Sequence, residues 1–135
     1  MKILVIDKDD LILTCLATVD AELLCHHDEI QALNAADMQQ PALIFLDYGL
    51  RGKETPDFIR MLTDVVPAAR LVIIGAQIKE DEVIQCMIAG AKGFQEQAQL
   101  SFYAERLIQA ILKGEAWLSR KSVARLIDSI RLLTT

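Results

Sequence analysis

Leu43-Ile44-Phe45-Leu46-Asp47 decides how this chain folds. Four apolar side chains in a row leave no polar face, so a strand made of them must be covered on both sides. The run then stops on a carboxylate. Two other stretches have the same form: Ile3-Leu4-Val5-Ile6 ends at Asp7, and Leu71-Val72-Ile73-Ile74 ends at Gly75. Weaker strand signals lie at Glu22 to His26 and Gly93 to Gln95. Helical patterns separate these runs. Thr55 reads as a capping hydroxyl before Pro56 at the first helical position, with Phe58, Ile59 and Leu62 on one face. Glu80 to Ala89 carries Val83, Ile84, Met87 and Ile88 and stops at Gly90. Ser101 opens another helix, with Leu107, Ile108 and Ile111 inward and Gly114 after its end. Five strands alternating with five helices predict a doubly wound α/β sheet. Sites in such sheets form beyond the carboxyl ends of the strands, where Asp7, Asp47 and Gly75 all fall.

Composition narrows the function classes. A chain of 135 residues, 53% hydrophobic, supports one folded domain and excludes wholesale disorder. A net charge of −5 argues against a domain that grips nucleic acid through its phosphates. No apolar run is long enough for a membrane span, so no membrane partner is expected. Met1-Lys2 enters a strand at once, without a signal-peptide pattern. Cys15, Cys25 and Cys86 fit neither a disulfide framework nor a zinc pattern and read as free thiols in a reducing cytoplasm. His26-His27 reads as a strand end or surface pair rather than a metal site. Ser119 to Leu133 repeats Val123, Leu126, Ile127 and Ile130 at helical spacing. Arg120, Lys121, Arg125 and Arg131 lie mostly elsewhere around it, so a sixth, amphipathic helix is expected. Its apolar face is too large to stand alone in water and should pack on the fifth helix or on a second chain.

The ordered set of strand ends resembles the receiver domain of bacterial response regulators over nearly the whole chain. Asp47 matches the phospho-accepting aspartate, and Gly49 the position whose carbonyl ligates Mg²⁺. Leu50-Arg51-Gly52 matches the loop before the third helix. Ala89-Gly90-Ala91-Lys92-Gly93-Phe94 matches the approach to the fifth strand, with Phe94 at the rotating aromatic position. Ala110 to Ser119, through Lys113-Gly114-Glu115-Ala116-Trp117, is similar to the linker of LuxR/NarL-type transcriptional regulators. The resemblance implies a flavodoxin-like five-stranded parallel sheet in order 2-1-3-4-5. Residues 1–114 would be the receiver, and 115–135 a linker helix leading to an absent helix-turn-helix DNA-binding domain. It implies a sensor kinase and a homodimer as partners, DNA contact only through that missing domain, a cytoplasmic location and no enzymatic activity of its own.

The same resemblance exposes departures. Lys8 stands where the family has a second acid beside Asp7 and is expected to pair with Asp47. Gly75 replaces the hydroxyl residue after the fourth strand, and Gln97 replaces the lysine after the fifth. Phosphoryl transfer is stabilised almost wholly by electrostatics, so these losses should impair phosphorylation of Asp47. Mg²⁺ held by Asp7, Asp47 and Gly49 should be weak or absent. Asp7 to Asp47 also spans a few residues fewer than is usual, around the first helix and second strand. Two other readings stand beside this one. A free-standing pseudo-receiver could serve purely as an interaction module. Ile3 to Asp9 also fits the first motif of haloacid dehalogenase-type phosphatases, with Asp7 as nucleophile and Asp9 as acid/base.

Overall fold

The computed structural model describes residues 1–134; Thr135, in the sequence-predicted linker, lies outside them. β1 (Lys2–Ile6), β2 (Glu22–His26), β3 (Leu43–Asp47), β4 (Arg70–Gly75) and β5 (Gly93–Glu96) form one parallel sheet in order β2-β1-β3-β4-β5. The helices are α1 (Leu11–Cys15), α2 (Glu29–Gln39), α3 (Thr55–Val65), α4 (Glu80–Ala89), α5 (Leu100–Leu112) and α6 (Arg120–Thr134).

The continuous apolar runs arise from the two-sided cover. Alternate strand residues face opposite ways. Leu4, Ile6, Ile44 and Leu46 join Phe58, Ile59 and Leu62 of α3 and Val83 and Met87 of α4 in one core. Ile3, Val5, Phe45, Val72 and Ile74 face Ile12 of α1 and Leu107, Ile108 and Ile111 of α5 in the other. Phe45 and Phe58 are fully buried, and truncating either to alanine would cost about 3–5 kcal/mol. β2 gave a weaker signal because it is an edge strand, with only partly buried side chains.

Several local details differ from the sequence reading. The Thr55 hydroxyl does not cap forward: it donates to the Gly52 carbonyl at 2.6 Å, and Glu54 holds the cap position. α5 begins at Leu100, one residue before Ser101, and Ile88 is 42% exposed. α1 has only five residues, which accounts for the short span between Asp7 and Asp47.

α6 packs on α4 rather than on α5. Ser119 caps it: its Oγ accepts the Ser122 N–H at 3.1 Å. Leu126 and the preceding Leu118 join the α3–α4 core. Lys121 Nζ lies 3.4 Å from Glu80 Oε2, and Arg125 pairs with Asp81 and Glu80. Before α6, Trp117 runs beside β5. Its N–H donates to the Lys92 carbonyl at 3.1 Å, and its carbonyl accepts the Phe94 N–H at 2.9 Å. Glycine at 93 permits this approach, since a Cβ there would stand 2.8 Å from the Trp117 Cβ. The indole packs against the α5-side core, and Nε1–H donates to Gln95 Oε1 at 2.9 Å.

Candidate functional site

Pairing of β1 with β3 brings Asp7 and Asp47 to the same end of the sheet. Asp7 is 1% exposed. Its Oδ2 accepts the Ile12 N–H at 2.8 Å and its Oδ1 the Asp9 N–H at 3.3 Å. Burial pushes the Asp7 pKa above the ordinary carboxylate value. The two backbone bonds oppose that rise, and the charges of Asp47 and Asp9 add to it. Asp47 Oδ2 accepts the Lys8 backbone N–H at 3.1 Å, and its Oδ1 accepts the Gly49 N–H at 2.8 Å. Lys8 therefore meets Asp47 through its main chain. Its side chain is exposed, and its ammonium makes no ion pair among the described residues.

A cleft of about 200 Å³ lies over Asp47, with Lys8, Gly49, Ala76, Ile78 and Gln97 among its walls. Gln97 lines this cleft. Gly75, at the end of β4, is not among its walls, and its missing side chain leaves no gap. A Cβ there would run into Ile78 Cδ1, stand 2.8 Å from Ile78 Cγ1 and 3.2 Å from the Tyr48 Cβ. Ile78 fills the volume that a threonine or serine would claim, a role with no signal in sequence because it rests on how the β4–α4 loop turns. Tyr48 was also missed: burial and a hydrogen bond to Glu82 hold its phenol up at about 12. Phe94 is partly buried against the α3–α4 core and is not among the cleft's walls. Arg51 anchors the loop after Asp47, with contacts to Glu29 at 3.1 Å and Glu54 at 3.3 Å and its guanidinium over Phe58.

The donor set fits Mg²⁺ poorly. The ion takes six oxygens in a near-octahedral shell. Asp7, Asp47 and the Gly49 carbonyl would be three of those oxygens, each carboxylate keeping lone pairs beside the two backbone N–H groups it accepts, and no further side-chain oxygen of the described residues joins them. Asp9 turns its Oδ1 onto the Leu11 N–H at 3.1 Å. Lys8 brings a positive charge and no side-chain oxygen.

No family model and no curated protein matches this chain. Solved structures do. A LuxR-family two-component response regulator from Aurantimonas sp. SI85-9A1 aligns with a TM-score of 0.78 at 19% identity, over 95% of this chain and 96% of that one. The isolated REC domain of RcsB from Salmonella enterica serovar Typhimurium aligns with a TM-score of 0.80 at 13% identity, over 95% and 98%. A LuxR-family DNA-binding response regulator from Silicibacter pomeroyi aligns at 0.71 and 19%, over 90% and 98%. At these identities the likeness establishes the fold.

Proposed function

We propose that this chain, which has the fold of response-regulator receivers, is the signal-input domain of a DNA-binding regulator whose Asp47 accepts phosphate poorly or not at all. The observation that carries the reading is Ile78 over Gly75. An incoming phosphoryl group carries negative charge on three oxygens, and the cleft offers it a methyl group where a hydroxyl would donate. Gln97 provides a neutral amide in place of an ammonium. Asp7 and Asp47 repel each other without a well-built cation site between them.

Output would pass through α4. Its first residue, Glu80, follows the Ile78 loop and pairs with Lys121 and Arg125 of α6. A partner or ligand that moves Ile78 would shift the end of α4 to which the linker helix is tied. Control of transcription would run through a DNA-binding segment beyond that helix. A homodimer and a sensor kinase remain the partners that this role implies.

The test is intact-protein mass spectrometry after incubation with acetyl phosphate and excess Mg²⁺. The parent chain should gain no phosphoryl mass. The triple variant Lys8→Asp, Gly75→Thr, Gln97→Lys, combined with Ile78→Ala to clear the added side chain, should gain one on Asp47. Stoichiometric phosphorylation of the parent on Asp47 would overturn the reading.

A further inference from the structure

Asp10, Cys25 and His27 come together beside the cleft. Cys25 lies in β2 and His27 just beyond it, two residues apart on one side of an extended segment. Asp10 comes from the β1–α1 turn. Parallel pairing of β1 with β2 sets this turn against the end of β2. His27 Nε2 stands 3.2 Å from Asp10 Oδ1, and Cys25 Sγ stands 3.9 Å from the same oxygen. All three ligand atoms lie within 4.8 Å of one another. A tetrahedral zinc shell with bonds of about 2.0–2.3 Å has ligand–ligand edges of roughly 3.3–3.7 Å, and the two measured edges bracket that range.

The histidine is oriented as a ligand. Its Nδ1 lies 2.7 Å from the Asp7 carbonyl oxygen. A carbonyl only accepts, so Nδ1 carries a proton and Nε2 is the ring nitrogen left to meet a metal. A backbone carbonyl holding the far nitrogen is the usual support of a metal-bound imidazole. In the metal-free chain Nε2 and Asp10 Oδ1 stand at ion-pair distance, and a divalent ion would take the place of the proton between them. Cys25 Sγ stands at thiol hydrogen-bond distance from the same Asp10 oxygen, so one bound ion would replace both protons with a single centre and use all three groups.

We propose that Asp10, Cys25 and His27 bind a zinc-class divalent transition-metal ion, with water in the fourth position. One thiolate, one imidazole and one carboxylate favour such an ion over Mg²⁺ or Ca²⁺. The side chains of His27 and Asp10 are 53% and 65% exposed, so the ion enters from solvent without opening the core. Bound there, it ties the β1–α1 turn, which carries Lys8 and Asp9, to the end of β2. This departs from the sequence reading of His26-His27 as a mere surface pair. The proposal does not depend on whether Asp47 takes phosphate.

Titration of the reduced full chain with Co²⁺ tests it. One equivalent should produce a thiolate-to-cobalt charge-transfer band and strong ligand-field absorption of a four-coordinate ion, both displaced by Zn²⁺. Cys25→Ser should abolish the charge-transfer band. His27→Gln and Asp10→Asn change exposed side chains and should leave the fold intact while weakening binding at least about tenfold. Cys15→Ser and His26→Gln should bind as the parent does. No thiolate band in the parent, the same band in Cys25→Ser, or an equal loss in His26→Gln would each overturn the assignment.

Discussion

The two sides of this molecule have been built by opposite rules. The cleft over Asp47 concentrates unbalanced charge: a buried carboxyl with a raised pKa, a second carboxylate nearby, and a lysine whose ammonium pairs with neither. The α4–β5–α6 side balances its charges, although Glu80 Oε1 is buried there with an ion-pair partner at 3.9 Å and no hydrogen-bond donor among the described residues. There Trp117 extends the sheet edge through two backbone bonds and Glu80 is clasped by two cations. The contrast suggests that stability resides where the linker docks, while the cleft is held at an energetic cost. Functional sites are where such costs are tolerated.

The largest test of this contrast is Trp117→Ala. It removes the indole from the α5-side core and the Nε1–H bond to Gln95. Chemical denaturation should register a loss of about 2–3 kcal/mol, at the low end for tryptophan because the ring is only partly buried. A loss below about 1 kcal/mol would mean that the linker is not the stabilising side.

An intermediate effect should come from pH. Cys86 on α4 is fully buried, and burial, with the Glu82 charge behind it, pushes its thiol from 9.0 up to about 12. The folded chain therefore keeps this proton longer than the unfolded one. The contribution is fully present below pH 9 and is lost as pH rises toward 12, with a slope of up to about 1.4 kcal/mol per pH unit. Denaturation midpoints between pH 8 and 10.5 should fall more steeply for the parent than for Cys86→Ala. Parallel curves would show that α4 is not sealed.

The smallest effect sharpens the comparison from the cleft. Asp47→Asn keeps one carbonyl oxygen for either the Lys8 or the Gly49 N–H, leaves the other to water, and removes the charge that opposes Asp7, so a lost bond and a relieved repulsion offset each other. Stability should change by less than about 0.5 kcal/mol or rise. A loss above about 1 kcal/mol would make Asp47 a structural residue and end the contrast.

Much of this was legible in the sequence. Leu43 to Leu46, Ile3 to Ile6 and Leu71 to Ile74 could only be strands buried on both faces, because no polar side chain interrupts them. That pattern implied the parallel sheet, and of the residues ending each run Asp47 lines the cleft. Gln97 lies among the cleft's walls. The local chemistry of Thr55 was misread because its hydroxyl could bond forward or backward, and the preceding turn at Gly52 chose.

Three features were decided by tertiary structure alone. The amphipathic pattern of α6 does not specify which helix it meets: Leu126 joins the α3–α4 core beside ion pairs to Glu80 and Asp81, while Val123 and Ile127 stay exposed. Gly75 reads as an empty position until the β4–α4 loop brings Ile78 across it. Asp10 and His27 are separated by α1 and β2, and only the parallel register between β1 and β2 sets them within a metal's reach. Sequence determines which side chains must be buried, since burial follows from local hydrophobic pattern. Which distant polar groups then meet depends on register and loop path, which no local pattern contains.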